Sequence, residues 1–335
     1  LKKNLGFRQK FIPDFIRSTS KGLLSIILAL LGLGPWSLIL GQLLSVLLST
    51  TVYWRVLPWR PALHFDRALA KSLLTYGLSI VGLNGLASLL TNVDYLFVGR
   101  FLGTIALGTY TMAFRIPDLL ISEFCLIISV VLFPVYVRVR EESAEALNKA
   151  FLNTLRYISL VTIPMGLGLA LVARPFVLAF LTAKWMDAVP VIQSISIFSM
   201  LFSLSLNTGS LYKAQGRVDV MVKLALVRLA LIIPAMFFVI HTFGTIASVG
   251  WAQAAVATIS GALNLYVAAR MVGTDLLQVW KAIQPAALSG IVMALAVFGL
   301  LTVTAVWPPL LQILLAALSG GAVYTALLYW QEQKL

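Results

Sequence analysis

The sequence is poor in the residues that build soluble active sites. It has one cysteine, two histidines and only 11% charged residues in 335, against about 25% charged in an ordinary soluble domain. The single Cys125 excludes an internal disulfide and a cysteine-built metal cluster. His64 and His241 are too few for a histidine metal centre, so no metal or cofactor is expected. There is no Walker A motif, which removes ATP as a direct energy source, and no Asp-x-Asp of a metal-dependent glycosyltransferase. No repeated filter or ring of charge marks a channel. The chain opens Leu1-Lys2-Lys3, with neither an initiator Met nor a signal peptide, and on that ground is expected to be incomplete.

What remains is apolar. Hydrophobic residues make up 60% of the chain and mean hydropathy is +0.96. A water-soluble globule of this length cannot hide so much apolar surface, so the expected class is an all-α integral membrane bundle. About 20 apolar residues cross the ~30 Å hydrocarbon core as a helix. Ten spans fit, near 11–33, 35–57, 70–98, 105–137, 150–173, 188–212, 218–241, 244–268, 281–304 and 308–330. Continuous runs such as Leu23–Leu33 lack the alternation that a membrane barrel needs.

The net charge of +13 follows this layout. Lys2, Lys3, Arg8, Lys10, Arg55, Arg60, Arg67, Lys71, Arg138, Arg140, Lys149, Lys213, Arg217, Lys223, Arg270, Lys281 and Lys334 fall on one side. The other side holds only Arg174 and Lys184. By the positive-inside rule the basic side is cytoplasmic, with both ends of this chain on it. The basic excess is then topological, and no nucleic-acid partner is expected.

A shift of 210 residues pairs Leu1 with Leu211, Lys3 with Lys213, Gly6 with Gly216 and Gly34 with Gly244. Six spans separate the two copies, the signature of two parallel six-helix lobes. The domain reading is therefore 1–60 as the last two helices of an N-terminal lobe and 61–70 as a cytoplasmic linker. Residues 71–270 form a six-helix C-terminal lobe, and 271–335 two extra helices. Four further helices are expected upstream, fourteen in all.

Ionisable residues inside a span each cost roughly 2.5–3.5 kcal/mol on insertion scales and are functional candidates by default. Arg115 lies about 15 Å below the outer start of the fourth span. Asp118 follows at i+3, where it can pair with Arg115, and Glu123 lies deeper. The plain reading is a structural ion pair. The functional one is a cation held at mid-depth for an anionic substrate, a task suited to the planar guanidinium fork. Asp94 and Arg100 close the third span. Asp94 is a candidate to hold a coupling ion or to pair with Arg115, as are Asp118 and Glu123 for coupling. Arg100 either binds substrate or snorkels to the interface. Lys10, Asp14, Arg17 and Lys21, spaced 4, 3 and 4, form one stripe on the first span, read as the cationic wall of a vestibule with Arg228 facing it. The acids Glu141, Glu142 and Glu145 read as a solvated loop.

Several segments resemble a known family. They are Asn92-Val-Asp94-Tyr-Leu-Phe-Val-Gly99-Arg100-Phe-Leu-Gly103, Leu107-Gly108-Thr-Tyr110 and Ala113-Phe-Arg115-Ile-Pro117. With them go Leu132-Phe133-Pro134, Ala173-Arg174-Pro175, Lys184-Trp185, Ala214-Gln215-Gly216-Arg217 and Asn4-Leu5-Gly6-Phe7-Arg8. Together they resemble polysaccharide-type members of the multidrug/oligosaccharidyl-lipid/polysaccharide (MOP) exporter superfamily. The resemblance implies a bacterial inner-membrane flippase for undecaprenyl-pyrophosphate-linked oligosaccharides in O-antigen, exopolysaccharide or capsule synthesis. Polymerase and chain-length proteins are the implied partners. It implies alternating access, no enzymatic activity, and a cavity arginine at the position of Arg115. Phe114 stands where peptidoglycan-precursor flippases often carry an acid, which argues against that substrate. Two other readings are an ion-coupled multidrug antiporter of the same superfamily and a membrane polymerase or ligase acting on the same lipid carrier. The longest expected outer loop, 174–187, is short for the latter.

Overall fold

A computed structural model describes residues 7–56 and 88–332, with isolated positions between them. Every regular element among the described residues is helical. The helices are α1 (Phe7–Leu30), α2 (Trp36–Val56), α3 (88–97), α4 (Thr104–Pro117), α5 (Glu123–Glu142) and α6 (Ala144–Phe176). They continue as α7 (Val189–Leu206), α8 (Thr208–Ala214), α9 (Val218–Phe243), α10 (Ile246–Val272), α11 (Leu276–Val303) and α12 (Pro309–Glu332). Eight described helical stretches are long and apolar enough to cross a membrane. Of the ten expected spans, α1 does not qualify by composition, because its first half carries Arg8, Lys10, Asp14, Arg17 and Lys21. The expected third span overlaps positions outside the described residues, as does the whole 61–70 linker.

Contacts divide the chain into two compact units, 1–79 and 80–335. In the first, α1 and α2 form a hairpin turned at Gly32 and Gly34, both at positive φ. Gly41 allows the close approach: a Cβ there would collide with the Ser25 side chain.

The second unit is built around α7, which packs on α4, α6 and α10. Its apolar sequence is interrupted by Ser194, Ser196, Ser199, Ser203 and Ser205, all buried. Each hydroxyl with a partner returns to its own helix, as Ser196 does to Ile192 O at 2.6 Å. Short side chains let neighbouring backbones close in, the usual device where lipid removes the hydrophobic drive for helix association. A Cβ at Gly166 of α6 would stand 2.6 Å from Met200 Cβ, and one at Gly250 of α10 would overlap Ser194. Helices α11 and α12 pack on α6, pinned by the Tyr324 hydroxyl donating to Leu160 O at 2.8 Å.

Two features depart from the sequence reading. The fourth span is longer than 105–137, running as one helical course over the 39 residues Thr104–Glu142. At 1.5 Å per residue that is about 58 Å, nearly twice the hydrocarbon core. Its end, with Arg138, Arg140, Glu141 and Glu142, therefore projects beyond the bilayer and turns into α6 at Ser143, whose hydroxyl caps Ala146 N at 3.0 Å. The expected outer loop 174–187 is largely helical, as the end of α6, a π-helical turn Val177–Leu181 and a 3-10 turn Ala183–Ala188. Tertiary packing of Val177 and Ala188 into the core overrides the polar, Pro-bearing local sequence.

Candidate functional site in the 80–335 unit

Helix α4 presents three faces. Tyr110, Ala113 and Pro117 are buried against the core. Ile105, Met112 and Leu119 are exposed and suit acyl chains. Between them, Thr104, Gly108, Thr111, Arg115 and Asp118, spaced 4, 3, 4 and 3, make a polar stripe that suits an aqueous surface. Arg115 stands in it with its side chain 57% exposed, its Nη1 3.1 Å from Asp118 Oδ2 and 3.9 Å from Glu123 Oε1. Pro117 has no N–H to donate, and the helix continues through a π-helical turn, Asp118–Ser122. The wider turn helps bring Glu123, eight residues on, within reach of the same guanidinium.

Asp94 does not pair with Arg115. It is buried, 1% exposed, and accepts the Tyr110 hydroxyl at 2.8 Å on Oδ2. Gln253 of α10 faces the same carboxylate. Asp94 Oδ1 and Gln253 Oε1 are buried acceptors without a hydrogen-bond partner among the described residues. Arg100, six residues after Asp94, lies in the π-helical turn Val98–Leu102, exposed with its guanidinium 6.0 Å from the Phe101 ring.

Arg228 of α9 is no free vestibule cation. Its guanidinium carbon lies 4.7 Å from the Phe202 ring centroid and 5.7 Å from that of Phe198. These rings end an aromatic series running from Tyr95 through Phe114 to Phe198 and Phe202, with centroids 5.5–5.9 Å apart. In the other unit, Arg17 and Lys21 are exposed on α1, and Asp14 accepts the Tyr53 hydroxyl at 2.9 Å. Lys10 belongs to α1, but its side chain lies outside the described residues.

Sequence reasoning missed Tyr110, Gln253 and the Phe198/Phe202 platform. Gln253 carried a signal, being an amide in the middle of an apolar span. The aromatics carried none, since phenylalanine is ordinary in such helices.

Comparison with known proteins agrees with this fold. The chain is 27% identical over 263 residues to the teichuronic acid biosynthesis protein TuaB of Bacillus subtilis, covering 78% of this chain and 54% of that protein. It is 29% identical over 207 residues to the lipopolysaccharide biosynthesis protein WzxC of Escherichia coli, covering 60% and 42%. The succinoglycan biosynthesis transport protein ExoT of Rhizobium meliloti is 26% identical over 57% of this chain and 39% of its own. The chain thus spans about half the length of the curated relatives it matches. Among solved structures, the lipid II flippase MurJ in an inward closed conformation superposes with a TM-score of 0.73, at 17% identity, over 96% of this chain and 68% of its own. That likeness shows a shared fold. The family model described as "Polysaccharide biosynthesis protein" matches residues 1–190, more than half of the chain. A multi-pass helical membrane protein with this match belongs to the polysaccharide biosynthesis protein family.

Proposed function

We propose that this chain serves in a flippase that moves lipid-linked oligosaccharide units across the bacterial inner membrane for surface polysaccharide synthesis. The observation that carries the reading is Arg115, 57% exposed in the last turn of α4 on a polar stripe, hydrogen-bonded to Asp118 and 3.9 Å from Glu123. A guanidinium has five N–H donors, and one bond at 3.1 Å leaves most of them for a diphosphate.

In this mechanism the diphosphate–sugar head enters from the cytoplasmic leaflet along Lys10, Arg17 and Lys21, and meets Arg115 at mid-depth. It leaves outward as two lobes alternate, while the polyprenyl tail stays in lipid. Residues 1–60 supply the last helices of one lobe, 71–270 the other lobe, and 271–335 two additional helices. Asp118 neutralises Arg115 when no substrate is bound and yields it when a diphosphate arrives. Asp94, buried behind Tyr110, is the carboxylate placed to couple an ion gradient to this cycle, with Glu123 as the second. Arg100 holds the outer exit. Charge alternation along the sequence supports the orientation, and the roles that WzxC, ExoT and TuaB are named for in polysaccharide biosynthesis support the substrate class.

The test is Arg115→Ala and Arg115→Lys in the full-length protein, with surface polysaccharide measured in the native host. Arg115→Ala is expected to abolish polymer and Arg115→Lys to retain part of it. Normal polymer with Arg115→Ala removes Arg115 from the mechanism.

A further inference from the structure

Away from Arg115, two cavities flank α8. One, of about 260 Å³, lies among α3, α7, α8, α9 and α10, with Arg228, Thr208, Ser260 and Asn264 on its wall. The other, of about 660 Å³, lies among α5, the α7–α8 junction and α9, and has Lys213, Ser129 and Ser210 on its wall. Both are lined by Leu206, Gly209 and Met221, so they adjoin along α8. A water takes about 30 Å³ in the liquid, so even the smaller cavity holds a multi-atom ligand with part of its hydration.

The polar groups along this path are unbalanced toward donors. Neither Arg228 nor Lys213 has a carboxylate within 4.0 Å among the described residues. Asn264 already spends its Oδ1 on Thr208 Oγ1 at 3.1 Å and its backbone carbonyl on the Tyr212 hydroxyl at 2.8 Å. Its Nδ2 makes only a 3.4 Å bond to Ser260 O. Depth is ordered too. Lys213 is exposed just before the Gly216 turn, and Arg228 lies ten residues into α9, about 15 Å further along its axis. Stacking on Phe198 and Phe202 offsets part of the cost of holding this cation away from water and fixes the plane of its fork.

We propose that the two adjoining cavities form a second oxyanion site, which takes a phosphoryl group past Lys213 and seats it on Arg228. The group is free inorganic diphosphate or the diphosphate of a prenyl lipid. The inference deepens the flippase reading only in the second case; the first stands without it. Full-length protein in nanodiscs is titrated calorimetrically with inorganic pyrophosphate and, separately, with farnesyl diphosphate. Wild type is expected to bind two equivalents. Arg228→Gln removes one, and Arg115→Ala removes the other. Tighter binding of farnesyl diphosphate at the Arg228 site assigns it to lipid, and equal binding to the free ion. Lys213→Gln, an exposed change, lowers affinity at that site about threefold and flattens its salt dependence. If Arg228→Gln does not fold, Arg228→Lys, which keeps the charge but loses the fork, is expected to weaken the site about tenfold. Wild-type stoichiometry and affinity in both Arg228→Lys and Lys213→Gln overturn the proposal, as does a single site abolished by Arg115→Ala. Normal polymer with Arg115→Ala, alongside loss of one site in Arg228→Gln, would overturn the mid-helix reading and leave this one standing.

Discussion

Arg115 and Arg228 are the same residue, each inside a long helical span of the same unit, and their surroundings answer the charge in opposite ways. Arg115 faces outward from α4 among threonines and glycine, with Asp118 at 3.1 Å. Arg228 faces inward over two phenylalanine rings, with no carboxylate at salt-bridge distance among the described residues. The first is neutralised by a partner whose side chain is 26% exposed. The second is held by an aromatic surface that cannot neutralise it. A pair that solvent can reach contributes little to stability and can be exchanged for another anion. A part-buried, stacked cation is held in place by its ring contacts and leaves its N–H donors to find another acceptor.

The contrast breaks most sharply when function and stability are read separately. Arg115→Ala should abolish polymer while moving unfolding free energy by no more than about 0.5 kcal/mol, the range of surface substitutions. Arg228→Ala should visibly lower the thermal midpoint of the purified protein, because the stem and ring contacts are lost together. Equal destabilisation by both changes would erase the distinction. Next in size, Tyr110→Phe removes the hydroxyl bonded to Asp94. A typical intramolecular hydrogen bond is worth about 0.5–1.5 kcal/mol net. A loss of that size in denaturant melts is expected, and an unchanged melt would mean that Asp94 is satisfied elsewhere. Phe202→Leu keeps the apolar volume but removes the nearer ring under Arg228, for an expected loss of about 1 kcal/mol. Smallest of all is the Arg115/Asp118 double-mutant cycle, expected to return less than about 1 kcal/mol of coupling. A larger value would make this pair a structural one.

Where the sequence was readable, the reason is local. Gly34 and Gly244 punctuate helices because a left-handed residue ends them, and both adopt positive φ. Arg115 and Asp118 meet because they are three apart on one helix. Asp94 lay beyond such reasoning: its partner Tyr110 sits on the next helix, and Gln253 comes from α10, 159 residues away. Arg228 was legible as a charge inside a span but not as a stacked one, since Phe198 and Phe202 are one turn apart on a helix that is apolar or serine but for Gln193. The helical run through 174–188 was hidden by Pro175 and Lys184, which score as loop until the core packs Val177 and Ala188.

The π-helical turn Asp118–Ser122, with helix on both sides, has an evolutionary corollary. It stores one residue more than an ordinary helical turn, so excising a single amino acid there would restore regular winding without reorienting the segments on either side. Related proteins can therefore differ in length by one at this point while keeping the contacts of both segments. The same excision two turns away would spin half of a helix by about 100°.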